Sequence, residues 1–282
     1  MLYLFRFLSH WPLRVLHAVG AGLGWLVWAA SPTYRAQFRA NVAQAGFPFE
    51  TARPAIGEAG RFVGELPKLW MRPPDESCLG NVQIEGRDIA SQAFNLGKGV
   101  IFFGPHCGSF ELGPQALAEL YGPITAIYRP ARKPWLARLE LLARSRPGFT
   151  VVPASLSSIR LMLKALKNNQ AVALLTDQVP PEGQGVWAPF FGKPAYTMTL
   201  AARLALQSGA TLLPVSCERL PRGRGYFLKI WPAVEGVQPS GQADLLDAVT
   251  RINRAIEAIV LSQPGQYLWG YARYKTPRED AR

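Results

Sequence analysis

The feature that most constrains the fold is an alternation of short apolar runs and helical segments between residues 100 and 261. The runs predicted as strands are 100–103, 124–128, 149–152, 171–176, 211–216 and 226–231, the last two joined as a hairpin by the basic turn 219–225. The segments predicted as helices are 111–120, 133–145, 155–169, 197–208 and 244–261. Strands that are apolar throughout are typical of parallel sheets covered by helices. The pattern therefore predicts an α/β fold with a mostly parallel central sheet flanked by helices.

An apolar segment near the N-terminus, 11–30, is interrupted only by Arg14 and His17. Its uninterrupted centre, 18–30, is shorter than the roughly 20 apolar residues that a full membrane span requires. Its tryptophans suit a membrane interface and its glycines suit close helix packing. We therefore expect residues 1–34 to form a membrane anchor or interfacial helix, with His17 at the interface, and residues 35–282 to form the domain that carries the activity. A buried core helix is the alternative for the apolar segment.

The charge of the chain indicates an anionic partner. Lysine and arginine number 31 against 19 acidic residues, a formal net charge of +12. Nucleic acid, an acidic protein and phosphate-bearing lipid all satisfy that charge. No basic recognition helix and no RNA-binding motif is evident, so we expect no nucleic-acid partner. Together with the apolar N-terminal segment, the charge favours anionic lipid at a membrane surface.

The strongest candidate for chemistry is His106, which follows the predicted strand 100–103 after Gly104 and Pro105, with Glu111 five residues later. Ligands and catalytic groups of open α/β sheets gather at the carboxyl ends of the strands. We expect Gly108 to permit a tight turn and Ser109 to cap the following helix, so that Glu111 meets His106. A carboxylate on one imidazole nitrogen makes the other nitrogen a general base. The alternative is a structural histidine held by core hydrogen bonds.

Three further residues follow predicted strands. Arg129 comes directly after 124–128, and a guanidinium there suits phosphate or carboxylate. Asp177 ends the run 171–176, where a carboxylate must find a partner: it orients Arg129, lines an acceptor site or caps the next loop. Gln178 has the same possible roles as Asp177, but the sequence signal for it is weaker.

Other segments give weaker signals. Residues 186–197 predict a Gly- and Pro-rich loop whose aromatic side chains, Trp187, Phe190 and Phe191, line an acyl channel, dip into a bilayer or pack on the core. The three cysteines, Cys78, Cys107 and Cys217, have no metal-binding spacing and indicate buried thiols. Together with only three scattered histidines, they lead us to expect no metal site.

Several quoted segments resemble one family in order and spacing. "GPHCGSFE" resembles the H-x4-D/E signature of the glycerolipid acyltransferase superfamily. "AIYRPARKP", "LLTDQVPPEGQGVWAPFFGKPAYTMTLAARLA" and "YLWGYARYK" are similar to segments of the bacterial lipid A late acyltransferases. The resemblance extends from the N-terminal apolar segment to residue 275. One departure is that Asp177 and Gln178 stand where glycerolipid acyltransferases carry a P-E-G-T block, which favours a glycolipid over a glycerol phosphate acceptor.

The resemblance implies a glycerolipid acyltransferase-like fold and an enzyme of lipopolysaccharide synthesis. The implied reaction moves a fatty acyl chain from acyl carrier protein to a hydroxyl of a Kdo-bearing lipid A precursor, without a cofactor. It takes place at the cytoplasmic face of the bacterial inner membrane. The implied catalytic residues are His106 and Glu111, and the implied substrate-binding residues are Arg129, Asp177 and Gln178. Two alternatives stay open: an acyltransferase for another membrane glycolipid or aminolipid, and a non-catalytic basic lipid-binding protein.

Overall fold

The structure, a computed structural model, describes residues 2–131, 133–237 and 244–278. A seven-stranded sheet forms its centre, in the order β1-β9-β8-β2-β5-β3-β4, and β6 and β7 form a separate hairpin. The strands are β1 Val82–Glu85, β2 Val100–Gly104, β3 Ile124–Tyr128, β4 Phe149–Pro153, β5 Ala171–Leu175, β6 Gly185–Phe190, β7 Lys193–Met198, β8 Thr211–Arg219 and β9 Tyr226–Ile230. Neighbouring strands of the central sheet are parallel except β8 and β9, which are antiparallel. The predicted α/β fold with a mostly parallel sheet is confirmed.

The helices cover both faces of this sheet. They are α1 Leu2–Ser9, α2 Leu13–Ala30, α3 Pro32–Gln44, α4 Phe49–Ala52, α5 Pro54–Trp70, α6 Arg87–Asn95, α7 Gly113–Tyr121, α8 Pro134–Arg144, α9 Leu156–Lys167, α10 Leu200–Ser208 and α11 Leu245–Ser262. The predicted helices from 133 onward agree with α8 to α11 within a few residues. Ser155 caps α9 by accepting a hydrogen bond from the backbone N–H of Ser158.

The two-residue period of the central strands divides the core into two clusters. Along β2, Ile101 and Phe103 belong to the cluster on one face, whereas Val100 and Phe102 belong to the cluster on the other. All five residues of β2 are buried, because helices cover both faces of the sheet. β2 therefore holds its carboxyl end, which precedes His106, in a rigid setting.

The N-terminal apolar segment forms α2, which packs closely along α5. A Cβ atom added to Gly20 or Gly60 would overlap the backbone of the opposite helix, so both positions require glycine at this separation. Within the described residues, α2 is the one helix long and apolar enough to cross a membrane by length and composition. His17 is buried against Glu65 of α5, so its predicted place at a membrane interface is wrong.

We expect Gly60→Val to separate α2 from α5. The added side chain would enter the backbone of α2, and overpacking of this kind costs about 1–3 kcal/mol of unfolding free energy. Urea unfolding of the detergent-solubilised chain measures the change. Gly22→Ala, on α2 but with no atom near its Cβ position, is the control and should be neutral or stabilising. Equal stability of Gly60→Val and Gly22→Ala would contradict the close packing.

Candidate active site

The candidate site lies where two neighbouring strands end. β2 and β5 are adjacent and parallel, with Gly104 opposite Leu175, so the residues after both strands come to the same edge of the sheet. His106 follows the first strand by two residues, and Asp177 follows the second by two residues. The sheet therefore places the imidazole and this carboxylate side by side, although 71 residues separate them along the chain.

The backbone around His106 is held tightly. Gly108 has φ +61°, and a Cβ atom there would overlap the carbonyl oxygen of Cys217 in β8, so the expected glycine turn is confirmed. The backbone N–H of Leu268 donates to the carbonyl oxygen of His106 at 3.1 Å. These contacts fix the loop to β8 on one side and to the C-terminal segment on the other.

Asp177 holds both the ring and the backbone of His106. The distance from His106 Nδ1 to Asp177 Oδ1 is 2.6 Å, and the backbone N–H of His106 donates to Asp177 Oδ2 at 3.0 Å. On the far side of the ring, Gln178 Nε2 lies 3.2 Å from His106 Nε2. These contacts agree with one tautomer, in which Nδ1–H donates to Asp177 and Nε2 accepts from the Gln178 amide. The His106 side chain is 18% exposed, so its ring is reachable from solvent.

The electrostatic setting keeps Asp177 ionised. Burial alone would raise the pKa of this carboxyl, but the electrostatic interaction with His106, the two hydrogen bonds from that residue and the charge of Arg273 lower it below its usual value. Arg273 is itself buried and donates to the carbonyl oxygen of Tyr196 and to Thr197 Oγ1. An ionised Asp177 stabilises an imidazolium that forms when Nε2 takes a proton.

Glu111 does not contact His106, which corrects the predicted pair. One Glu111 oxygen accepts from the Trp70 indole N–H at 3.1 Å, and Arg144 donates to both oxygens at 2.8 and 3.0 Å. The physical reason is that helix α7 begins only at Gly113, so Glu111 lies in the preceding turn and its carboxylate lies between α5 and α8. Ser109 does not cap this helix either, because its hydroxyl donates to Glu65 at 2.7 Å.

The Glu111–Arg144 pair is a second charged cluster beside the first. Glu111 is 9% exposed, and the Arg144 guanidinium also lies over the ring of Tyr128 at 5.4 Å. Burial alone would lower the pKa of Arg144, and the hydrogen bonds and charge of Glu111 raise it above its usual value. Sequence reasoning missed Trp70 and Arg144, because neither stands in a motif and Arg144 is 33 residues from Glu111.

The other predicted site residues lie near the same edge. Gln178 contacts His106, as described above. Arg129 is exposed and follows Tyr128 at the end of β3, with β5 between that strand and β2, and its predicted role in substrate binding stays a prediction. Asp177, predicted to bind substrate, takes the place beside the His106 ring that was predicted for Glu111, and it lies at Nδ1.

The cysteines are not placed as nucleophiles. Cys107, although next to His106, is 2% exposed, and burial raises the pKa of its thiol far above the ordinary value. Cys217 is similarly buried with a raised pKa. In the part of the chain that the structure describes, no three His, Cys, Asp or Glu side chains are grouped so as to hold a metal ion.

Comparison with known proteins identifies the family of the chain that carries this site. The family model described as bacterial lipid A biosynthesis acyltransferase matches residues 1–276. The chain belongs to this family. Its members are acyltransferases of lipid A biosynthesis, so the predicted family and the predicted class of enzyme are confirmed at that level. The site of His106, Asp177 and Gln178 is therefore a candidate for acyl transfer.

Individual relatives show how wide the family is. A lipid A biosynthesis palmitoleoyltransferase of Escherichia coli strain K12 is 30% identical over 77% of this chain and 69% of its own length. A lipid A biosynthesis acyltransferase of Haemophilus influenzae is 24% identical over 94% of this chain and 86% of its own. A phosphatidylinositol mannoside acyltransferase of Mycobacterium tuberculosis is 28% identical over 54% of this chain and 48% of its own. The relatives thus act on more than one glycolipid, and the acceptor has to be argued separately.

Proposed function

We propose that this lipid A acyltransferase moves a fatty acyl chain from acyl carrier protein to a hydroxyl of a Kdo-bearing lipid A precursor. The observation that carries the proposed chemistry is the pair of contacts on the His106 ring, with Asp177 on Nδ1 and an exchangeable amide on Nε2. The apolar helix α2 and the net charge of +12 support a location at the inner membrane, and the proposed face is the cytoplasmic one, where acyl carrier protein is present.

The proposed mechanism begins with exchange at Nε2. The acceptor hydroxyl replaces the Gln178 amide and donates its hydrogen bond to Nε2 of His106. As the hydroxyl oxygen attacks the thioester carbonyl carbon, Nε2 takes the proton and Asp177 stabilises the imidazolium. The tetrahedral intermediate then expels the carrier thiolate, which takes the proton back from His106. The products are the ester and the free carrier thiol, and no acyl-enzyme forms.

Glu111 has a different role in this proposal from the one predicted from its spacing. Its carboxylate orients the Arg144 guanidinium and the Trp70 indole beside the catalytic loop. Both partners come from helices outside that loop, so Glu111 ties α5 and α8 to the segment that carries His106. It acts as a positioning residue, while Asp177 fixes the tautomer of His106.

The proposed acceptor rests on the lipids that the names of related proteins contain. The palmitoleoyl- and lauroyltransferases of Escherichia coli, each 30% identical, carry lipid A in their names. A second candidate acceptor is a mannosylated phosphoinositide, favoured by the similarity to phosphatidylinositol mannoside acyltransferases. Both acceptors are anionic glycolipids with free hydroxyls, so the same chemistry at His106 serves either.

His106→Ala tests the catalytic assignment. The variant removes the proposed base, and loss of a general base typically lowers turnover by about 10²–10⁴-fold. Purified protein is incubated with acyl carrier protein bearing a labelled acyl group and with a Kdo-bearing lipid A precursor, and the product is identified by mass spectrometry. His10→Ala, an exposed histidine on the N-terminal side, is the matched control and should retain activity.

The same assay separates the acceptors. Mannosylated phosphoinositide replaces the lipid A precursor in a parallel reaction, and the ratio of the two kcat/KM values assigns the substrate. Turnover by His106→Ala at the wild-type level would refute the proposed base. Higher kcat/KM with the phosphoinositide would move the acceptor to the second candidate while leaving the base in place.

A further inference from the structure

The positive charge of the chain is concentrated in one part of the fold. Residues 120–176 contain nine bases and one acid, Glu140, a net charge of +8 out of +12 for the whole chain. This stretch forms β3, α8, β4, α9 and β5, and it includes the edge of the central sheet at β4. Because nearly all the charges in this stretch are positive, we expect an anionic partner on this side of the molecule.

Large apolar side chains are exposed within the same stretch. On α8, Leu139 and Ala143 are buried against the sheet, whereas Trp135, Leu141 and Leu142 are 42%, 49% and 63% exposed. On α9, Leu156 and Leu161 are also exposed. Exposed bases lie among these residues, at Lys133, Arg138, Arg160 and Lys164. We call the exposed apolar residues of α8 and α9, with the bases among them, the α8–α9 surface.

The α8–α9 surface begins at the edge of the sheet that carries His106. α8 and α9 follow the carboxyl ends of β3 and β4, which are parallel to β2. The turn after α8 is fixed to the end of α5, because Arg146 donates to the carbonyl oxygens of Leu69 and Trp70. Phe5 of α1 stacks on the ring of that same Trp70 at 5.7 Å. The exposed apolar side chains of α1 and those of α8 therefore belong to elements that meet at one end of α5.

An open groove lies on the flank of α8. It has a volume of about 350 Å³ and is lined by Leu141, Arg144, Ser145, Arg146, Phe149, Thr150 and Val151. Apolar side chains share this lining with Arg144 and Arg146, whose guanidinium groups are held by Glu111 and by backbone carbonyl oxygens. Arg144 is also the partner of Glu111, so the groove adjoins the Glu111–Arg144 pair.

We propose that the α8–α9 surface is a membrane-contact surface that binds a bilayer containing anionic phospholipid, in addition to α1 and α2. Exposed leucines and a tryptophan on a basic helix are typical of helices that lie in a bilayer interface, where the bases reach the headgroups. An acidic protein would satisfy the charge alone, whereas five large exposed apolar side chains favour lipid. The inference rests on the proposed location at a membrane, but not on the proposed base or acceptor.

The test measures vesicle binding by the full-length chain. Leu141→Gln/Leu142→Gln removes apolar contact from α8, and Leu96→Gln/Leu261→Gln makes the same change at exposed leucines outside this stretch. Binding to vesicles of equimolar phosphatidylglycerol and phosphatidylcholine is measured by flotation, with circular dichroism as the check of folding. We expect the α8 variant to bind about tenfold more weakly than wild type, since each buried leucine contributes to interfacial affinity, and the control to bind as wild type does.

A second measurement does not depend on those variants. Brominated phosphatidylcholine in the same vesicles quenches tryptophans at acyl-chain depth, and the difference between wild type and Trp135→Phe isolates the contribution of Trp135. We expect that contribution to be quenched. An unquenched Trp135, wild-type binding by the α8 variant, or no vesicle binding by the wild-type chain would each overturn the proposal.

Two further outcomes are decisive. Weaker affinity of the α8 variant for acyl carrier protein, with vesicle binding unchanged, would overturn the proposal in favour of a protein partner. Failure of the proposed function is seen separately, because His106→Ala would then retain turnover whatever the vesicle assay shows.

Discussion

Asp177→Asn is expected to lower kcat by about 10⁴-fold, the size of loss seen when an aspartate that fixes the tautomer of a catalytic histidine becomes an amide. The carboxylate accepts from His106 Nδ1 at 2.6 Å and from the backbone N–H of His106 at 3.0 Å. An asparagine that keeps the backbone contact through its oxygen presents an N–H to Nδ1. Nδ1 of His106 then has to accept this hydrogen bond, so the ring proton resides on Nε2 instead. Nε2, the proposed base, no longer has a free lone pair to take the proton of the acceptor hydroxyl.

The measurement is kcat and KM with purified protein, with the pH dependence of kcat/KM as the readout that separates catalysis from folding. Loss of structure alone would remove active molecules without changing the pH profile. We expect Asp177→Asn to keep KM within about twofold and to change the pH profile of kcat/KM, because no carboxylate is then left to stabilise the imidazolium that forms in the reaction. Asp177→Glu, which keeps the charge, should recover part of the activity.

Glu111→Gln is the matched comparison, because it makes the same carboxylate-to-amide change at the residue predicted from the H-x4-E spacing. It leaves the buried Arg144 without a full counter-charge and should mainly lower the unfolding free energy. The pH profile of its residual activity should match that of wild type. A larger loss of kcat in Glu111→Gln than in Asp177→Asn, with an altered profile, would restore Glu111 as the partner of His106 in catalysis.

Six of the seven strands of the central sheet were predictable, all except β1, but the order of the strands was not. Apolar runs predicted β2, β3, β4 and β5 to within a residue or two, because buried parallel strands leave a strong local signal. The partner of His106 depends on β5 lying next to β2, which is a long-range property. Asp177 was therefore identified as a strand-end residue with an unknown partner, and Glu111 was preferred because it is near in sequence. Proximity along the chain was the wrong guide here.

The β6–β7 hairpin was missed for a local reason. Phe191 and Gly192 form its two-residue turn, with φ +46° and +73°, and Phe190 pairs with Lys193 across it. Two-residue turns with positive φ usually carry asparagine or aspartate before glycine, so a phenylalanine in that position hides the turn. Prolines 189 and 194, which lie opposite each other, further weaken the strand signal. The segment predicted as an aromatic loop is therefore a hairpin, with Phe190 buried and Trp187 exposed.

Glu65 forms a hydrogen bond with the loop that carries His106, and its removal should destabilise the whole fold. It is fully buried and accepts hydrogen bonds from Arg219 at 3.0 Å, Ser109 at 2.7 Å and Tyr226 at 3.3 Å. His17 of α2 lies 3.0 Å from its second oxygen. One carboxylate thus joins the N-terminal apolar helix, the loop of His106 and two strands. This explains why His17, an apparent interruption of the apolar segment, is buried.

The pH dependence follows from the pKa of Glu65. Burial alone would raise that pKa, but the charge of Arg219 and the hydrogen bonds from His17 and Ser109 lower it below its usual value. A carboxyl whose pKa is lowered by folding contributes stability that is fully present above the pKa of the unfolded chain. That contribution is lost as the pH falls through the lower pKa of the folded protein. Glu65→Gln should therefore weaken the dependence of the unfolding free energy on pH in this acidic range.

Glu65→Ala is expected to lower the unfolding free energy by about 3–5 kcal/mol at neutral pH, the usual cost of removing one partner of a buried ion pair. Among the residues that the structure describes, Arg219, 4% exposed, keeps Glu58 as its acidic partner in the variant. Urea unfolding of the solubilised chain gives the value. Glu50→Ala is the control, since Glu50 also pairs with an arginine but is 75% exposed, and such a pair contributes at most about 1 kcal/mol. If both variants unfold at the same urea concentration, the buried carboxylate does not join the N-terminal helix to the His106 loop in the way its contacts indicate.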